Sequence, residues 1–162
     1  LLRAGMTVID LGAAPGGWSQ YVAKKIGGKG KIIAVDALSM DAITNVSFLQ
    51  GDFTEPEIYG SILTLAGHNK VDLVLCDMAP NICGIDSVDR PRALYLAECA
   101  ADFCIEVLIP DGSLLVKLFH GTGFDDYVKL LRNRFCKVLI RKPAASRSGS
   151  REVYALATKI KI

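Results

Sequence analysis

The sequence predicts an α/β protein built on a parallel sheet covered on both faces, with an antiparallel hairpin at one edge. Three observations carry this. Short apolar, mostly β-branched runs alternate with helical patterns as far as Arg134, most runs end at a polar or glycine residue, and the tail then breaks the alternation with two strand-like runs in succession. Strands buried on both faces read as continuous apolar stretches rather than alternating ones, which is how these runs look.

Met6 to Leu11, Lys31 to Val35, Val46 to Gln50, Val71 to Cys76 and Ser113 to Phe119 supply the strands. Trp18 to Ile26, Glu55 to Ala66, Pro91 to Leu108 and Phe124 to Arg134 supply the helices between them. Pro91, shortly after Asp89, suits a first helical position, where a missing N–H costs nothing. The stretch "IPDG", with Pro110 and Gly112, is a stop signal for the same helix. Cys136 to Arg141 and Glu152 to Thr158, separated by "KPAASRSGSR", read as the edge hairpin. No internal repeat is visible.

At 162 residues and 51% hydrophobic, the chain suits one well-cored domain spanning residues 1 to 162. No apolar run approaches the roughly 20 residues of a membrane helix, and "LLRAGMTVID" lacks the layout of a secretory signal. A cytoplasmic protein that does not enter the membrane is expected, and, because the chain opens at Leu1 just before a core strand, one that has lost an N-terminal segment. Cys76, Cys83, Cys99, Cys104 and Cys136 are scattered, with no Cys-x-x-Cys pair and only His68 and His120 to help them, so reduced thiols are expected rather than a metal site.

The net charge of +2 hides a polarity. Leu1 to Val128 holds 9 Lys+Arg against 16 Asp+Glu, a balance of −7, whereas Lys129 to Ile162 holds 10 against 1, a balance of +9. That asymmetry is either a solvated face or the footprint of a polyanion-binding surface.

The stretch "VIDLGAAPGGWSQYV", Val8 to Val22, sets three glycines and a proline between the first strand and the first helix. In an open parallel sheet, ligands bind beyond the carboxyl ends of the strands, where this loop lies. The dinucleotide pattern G-x-G-x-x-G fails at its second glycine, and Pro15 removes a donor that a pyrophosphate cradle would use. The loop suits a nucleoside carrying a small zwitterionic attachment, or is a plain strand-to-helix turn. Asp36, ending the second strand, can accept both hydroxyls of a ribose, and Asp52 in "QGDF" can accept from an adenine amino group; a turn-capping role competes at each. Trp18 could flank the ligand or simply pack at the helix start.

The fourth strand runs into Asp77, and the fifth carries Lys117 between Val116 and Leu118. A lysine in an apolar strand is costly unless paired or snorkelling; in a central strand it points to function. Glu152 is a lone carboxylate in the basic half, suited to the site or to an ordinary ion pair.

Taken together, "DLGAAPGGWSQYV", "VD" at Asp36, "QGDF", "DMAPN", "VKLF" and "SREVYALAT" resemble the FtsJ-type ribosomal RNA 2′-O-methyltransferases, in the same order and over nearly the whole chain. The resemblance implies a doubly wound, mostly parallel seven-stranded sheet with an antiparallel last strand, the Rossmann-like class I methyltransferase architecture. It also implies S-adenosyl-L-methionine as cofactor, with Gly16, Trp18, Asp36, Asp52 and Asp77 on the cofactor positions. A catalytic Lys-Asp-Lys-Glu set is implied too, whose last three members fall on Asp77, Lys117 and Glu152. The first lysine of that set precedes the first strand in the family, a position that falls before Leu1. The substrate implied is a uridine of bacterial large-subunit (23S) ribosomal RNA within the assembled subunit, and a monomer is expected.

On that reading a ribose 2′-hydroxyl attacks the methyl carbon of a sulfonium, Lys117 accepts the proton or steers the oxygen, and Asp77 and Glu152 orient both. RNA should meet the basic half. Eight cations and no acidic residue lie from Lys129 through Arg151, with Arg141, Lys142, Arg147 and Arg151 the candidates for phosphate contact. An RNA-binding assembly factor that needs no catalysis and a nicotinamide-dependent oxidoreductase are the rival classes.

Overall fold

The computed structural model describes residues 1–67, 71–78 and 85–161. Seven strands among them form one sheet: β1 (Thr7–Leu11), β2 (Lys31–Asp36), β3 (Val46–Gln50), β4 (Val71–Cys76), β5 (Leu108–Phe119), β6 (Phe135–Arg141) and β7 (Glu152–Ile160). Their order is β3-β2-β1-β4-β5-β7-β6. Neighbours from β3 to β5 pair parallel, and β7 runs antiparallel to both β5 and β6. This is the expected doubly wound sheet with an antiparallel last strand. The chain winds outward from β1 to β3, returns to β4 on the other side of β1, and so leaves a crevice at the carboxyl ends where the order reverses.

The strands are sequestered because their side chains fill both faces. Ile9, Leu11, Ile33, Val74, Val116 and Ala155 join residues of α2 (Pro56–Ala66), α3 (Asp86–Val107) and α4 (Phe124–Arg134) in one cluster. Met6, Val8, Ile32, Leu73 and Leu75 pack against Val22 and Ile26 of α1 (Gly17–Ile26) on the opposite face. Each such aliphatic side chain removed from water stabilises the fold by about 1.5–3 kcal/mol, and together they fix which strand ends reach the crevice.

Two sequence expectations need correction. α3 begins at Asp86, so Pro91 lies inside the helix rather than at its first position. The carbonyl Pro91 cannot serve, that of Ser87, is at an exposed position in the opening turns, where the loss is mild. Next, "IPDG" does not separate helix from strand: β5 starts at Leu108, paired with Val71, and the register then shifts so that Leu73 meets Ser113. Pro110 and Gly112 mark a bulge, a place where a strand tolerates both. The hairpin expected at one edge is present, and its second strand is the inner one. β7 inserts between β5 and β6, leaving β6, which carries Lys137 and Arg141, at the edge. His68, Cys83 and the last three residues of "DMAPN" lie outside the described residues.

Candidate active site

The parallel register brings the chemistry of separate strands into one line. Leu11 pairs with Val35 on one side and Cys76 on the other, and Cys76 pairs with Val116. The next residue of each strand is therefore Asp36, Gly12, Asp77 or Lys117. Beyond them Lys117 pairs with Tyr154, and Tyr154 with Arg141. A single row across the carboxyl end of the parallel strands thus runs Asp36, Gly12, Asp77, Lys117, Tyr154, Arg141.

A cleft of about 420 Å³ occupies one end of this row, lined by Gly12, Ala14, Asp36, Asp52, Asp77 and Met78 among others. Its size falls within the roughly 300–1,000 Å³ of small-molecule sites. Gly12 is glycine by necessity: φ is +78°, and a Cβ there would lie 2.6 Å from Met78 Cγ and 3.0 Å from Met78 Cα. Gly16 has φ +111°, and its added Cβ would meet Ile43 Cδ1 at 2.7 Å. The bare backbone of the loop therefore admits two segments of the protein itself, and Gly12 also faces the cleft.

Asp36 and Asp52 both make the local hydrogen bonds of the turn-capping alternative, and both line the cleft. Asp36 accepts the Ala14 N–H at 2.9 Å through Oδ2 and the Leu38 N–H at 2.8 Å through Oδ1, tying the glycine loop to the end of β2. Asp52 Oδ1 accepts from the Thr54 N–H at 2.8 Å and the Thr54 hydroxyl at 2.7 Å, a turn cap. Both also line the cleft, and a carboxylate oxygen retains acceptor capacity beyond one backbone bond.

Trp18 and Gly16 are not among the cleft-lining residues. The Trp18 ring packs beside Tyr154, centroids 5.8 Å apart, and against the cluster under α1. Lys117 lies in a central strand, only 12% exposed, with Nζ 2.8 Å from Asp77 Oδ1. It also lines a small hollow with Arg90, Thr122 and Phe124, next to the cleft through Asp77. Glu152 reaches the group indirectly: the Tyr154 hydroxyl lies 3.3 Å from Asp77 Oδ1 and 3.5 Å from Glu152 Oε1.

In the basic half, Arg141, Lys142, Arg147 and Arg151 are all exposed, although Lys142 Nζ donates to the Ser150 carbonyl at 3.0 Å. Arg134 instead forms an ion pair with Asp102.

Two residues of the site escaped the sequence reading. Asp10 is only 1% exposed; Oδ2 accepts from the Ser19 hydroxyl of α1 at 2.7 Å, and Oδ1 meets no donor among the described residues. Burial first, then the charges of Asp77 and Asp36, push its pKa up from the ordinary 3.8 to about 6, against the lowering effect of Ser19. A carboxylate between Ile9 and Leu11 of an apolar strand was the available signal. Tyr154 alternates with Val153 and Ala155 like any half-buried strand residue, a pattern that gives no hint of its hydroxyl's partners.

Fold and cleft define a Rossmann-like, doubly wound scaffold with a lysine–carboxylate pair beside a cleft at the carboxyl end of the strands. The sequence profile described as FtsJ-like methyltransferase matches residues 1–160. The chain belongs to the FtsJ-like methyltransferase family. Among solved structures it resembles a Plasmodium falciparum protein designated a ribosomal RNA methyltransferase, at 24% identity and TM-score 0.87, covering 99% of this chain and 89% of that one. It is also similar to the Methanococcus jannaschii fibrillarin pre-rRNA processing protein, at 17% identity and TM-score 0.68 over 97% of this chain and 67% of that one. A chain of a fibrillarin/Nop5p complex matches at 20% identity and TM-score 0.66, over 98% and 74% respectively. At these identities the likeness establishes the shared fold.

Among the described residues no helix is long and apolar enough to cross a membrane, and no three His, Cys, Asp or Glu side chains gather as a metal site.

Proposed function

We propose that this protein transfers a methyl group from S-adenosyl-L-methionine to a ribose 2′-hydroxyl of ribosomal RNA, a uridine of the large-subunit (23S) RNA within the assembled subunit. It would act as a cytoplasmic monomer built as one methyltransferase domain. The observation that carries the reading is the Lys117–Asp77 pair in the same cross-sheet row as a nucleoside-sized cleft, inside a family of methyltransferases.

The residues present fit the donor. Asp36 and Asp52 offer carboxylate acceptors in the cleft for ribose hydroxyls and a base amino group, and the bare backbone of Gly12 lines it too. When bound, S-adenosylmethionine supplies an electrophilic methyl carbon on a sulfonium that departs as a neutral thioether. The protein's own share is then alignment and proton removal. Lys117 takes the proton of the 2′-hydroxyl or holds its oxygen in line, and Asp77 fixes the lysine's position at 2.8 Å. Glu152 borders the same group through Tyr154. Arg141 ends the row, and with Lys142, Arg147 and Arg151, exposed in the connection from β6 to β7, it offers cations that could neutralise phosphates.

The test is single-turnover methyl transfer to methylation-free large-subunit particles at saturating donor. Lys117→Ala should cut the rate at least ~100-fold, the scale of lost acid–base catalysis, while calorimetry shows donor affinity nearly unchanged. A variant as fast as its parent would remove Lys117 from the chemistry. A parent that binds particles yet transfers no methyl would favour a scaffold role, and one that binds NAD but not S-adenosylmethionine would favour an oxidoreductase.

A further inference from the structure

The carboxylate that holds Lys117 is shared. Asp77 Oδ1 receives the ammonium at 2.8 Å and, on the same atom, the Tyr154 hydroxyl at 3.3 Å, while that hydroxyl also lies 3.5 Å from Glu152 Oε1. Tyr154 stands directly opposite Lys117 in the β5–β7 ladder, and its ring is braced by the Trp18 indole from α1. A phenol has a single proton to donate. Placed between two carboxylates around one lysine, it can serve either, and the one it serves gives up part of its charge to the bond.

A lysine accepts a proton only as the neutral amine, and carboxylates beside it favour the ammonium form. Asp77 is such a carboxylate, with Oδ1 2.8 Å from Lys117 Nζ, which works against the role proposed for the lysine. Resting on that role, we propose that Tyr154 is a positioning residue: its hydroxyl draws charge from Asp77 Oδ1, loosens the carboxylate's hold on the Lys117 protons, and so sets the pH above which Lys117 can act.

Tyr154 cannot itself be the base, since burial, then the charges of Asp77 and Glu152, and hydrogen bonds to both raise its pKa well above the usual tyrosine range. It remains a donor at every working pH. The charged groups facing it are Asp77 at the end of β4, Lys117 in β5, Glu152 in its own strand and Arg141 opposite it in β6. Buried Asp10 in β1 adds charge beside Asp77. α1 contributes the uncharged Trp18. None of these changes in Tyr154→Phe, which keeps the ring on Trp18 and removes one oxygen.

The experiment measures single-turnover methyl transfer from labelled S-adenosylmethionine to methylation-free large-subunit particles, from pH 6 to pH 10, for parent and Tyr154→Phe, with donor affinity by calorimetry. Without the phenol, Asp77 holds the ammonium more tightly. The acid limb of the profile should move up by roughly 0.5–1 pH unit, giving about 3- to 10-fold slower transfer at pH 7 and recovery to the parent rate at high pH. Donor affinity should stay within about twofold, because Tyr154 does not line the cleft. Coincident profiles would overturn the inference, as would a loss of the same factor at every pH or a parallel loss of donor affinity. Failure of the functional reading looks different: the parent itself would transfer no methyl at any pH, and the inference would fall with it.

Discussion

Asp36 shows how one side chain can serve fold and ligand together. Its two oxygens anchor the Ala14 and Leu38 amides, so the carboxylate shapes the glycine loop before any ligand arrives. The same side chain faces the cleft. Asp36→Ala should therefore weaken S-adenosylmethionine binding by about 1.5–3 kcal/mol, the scale of hydrogen bonds to a charged group, and the released loop adds to the loss rather than offsetting it. Calorimetry measures this directly, and unchanged affinity would take Asp36 out of the site. At this scale the sequence was legible where a residue type was out of place, as Lys117 was in an apolar strand. Tyr154 was not legible, because a tyrosine in a half-buried strand is ordinary and only the fold brings Asp77, distant in sequence, to its hydroxyl. Asp10 carries the same kind of signal as Lys117, a charged residue inside an apolar strand.

Among the elements, the five parallel strands and the helices were readable because apolar runs and 3.6-residue patterns record burial directly. What the runs do not record is partner choice. A β6–β7 hairpin is equally consistent with either strand docking on β5, and the discriminating trait lies in burial: Val153, Ala155 and Ala157 of β7 are sequestered, whereas Cys136 and Lys137 of β6 are exposed. Small alternating residues suit an inner strand and charged ones an edge. The consequence is functional, since the inserted β7 brings Glu152 and Tyr154 beside Lys117 and pushes Arg141 outward. The basic segment after β6 then extends from the site's outer side. Neutralising Arg141, Lys142 and Arg147 together should weaken RNA binding and lower the salt slope by up to about 0.9 for each phosphate no longer neutralised on duplex-like sites. Binding titrations between 50 and 300 mM salt, roughly the range over which counterion release is measured, check this. An unchanged slope would leave the segment as a solvated face.

Over the whole molecule, the row that gathers Asp36, Asp77 and Lys117 has a cost in stability, and Asp10 is where it should be measurable. This carboxylate lies beneath the site between sheet and α1, satisfied on one oxygen by Ser19. Burial, with Asp77 and Asp36 nearby, makes the folded chain hold its proton to about pH 6, whereas an unfolded chain releases it near the ordinary 3.8. Well below pH 3.8 both states are protonated and Asp10 costs nothing. Between the two values only the unfolded state ionises, so Asp10 takes away stability as pH rises, and above about pH 6 the loss is complete. The separation of the two values corresponds to about 3 kcal/mol at pH 7. Asp10→Asn keeps an acceptor for Ser19 and removes the titration. Whatever constant offset the amide introduces, the stability of the variant relative to its parent should increase by about 2.5 kcal/mol between pH 4 and pH 8, with most of the change before pH 6.5. Carboxylates that titrate alike in both proteins cancel from the difference. Denaturant unfolding of both proteins across that range, without donor, reads it out. A difference that stays constant from pH 4 to pH 8 would mean that Asp10 ionises as readily in the folded protein as in the unfolded chain, and that the charge beneath the site is not a burden on the fold.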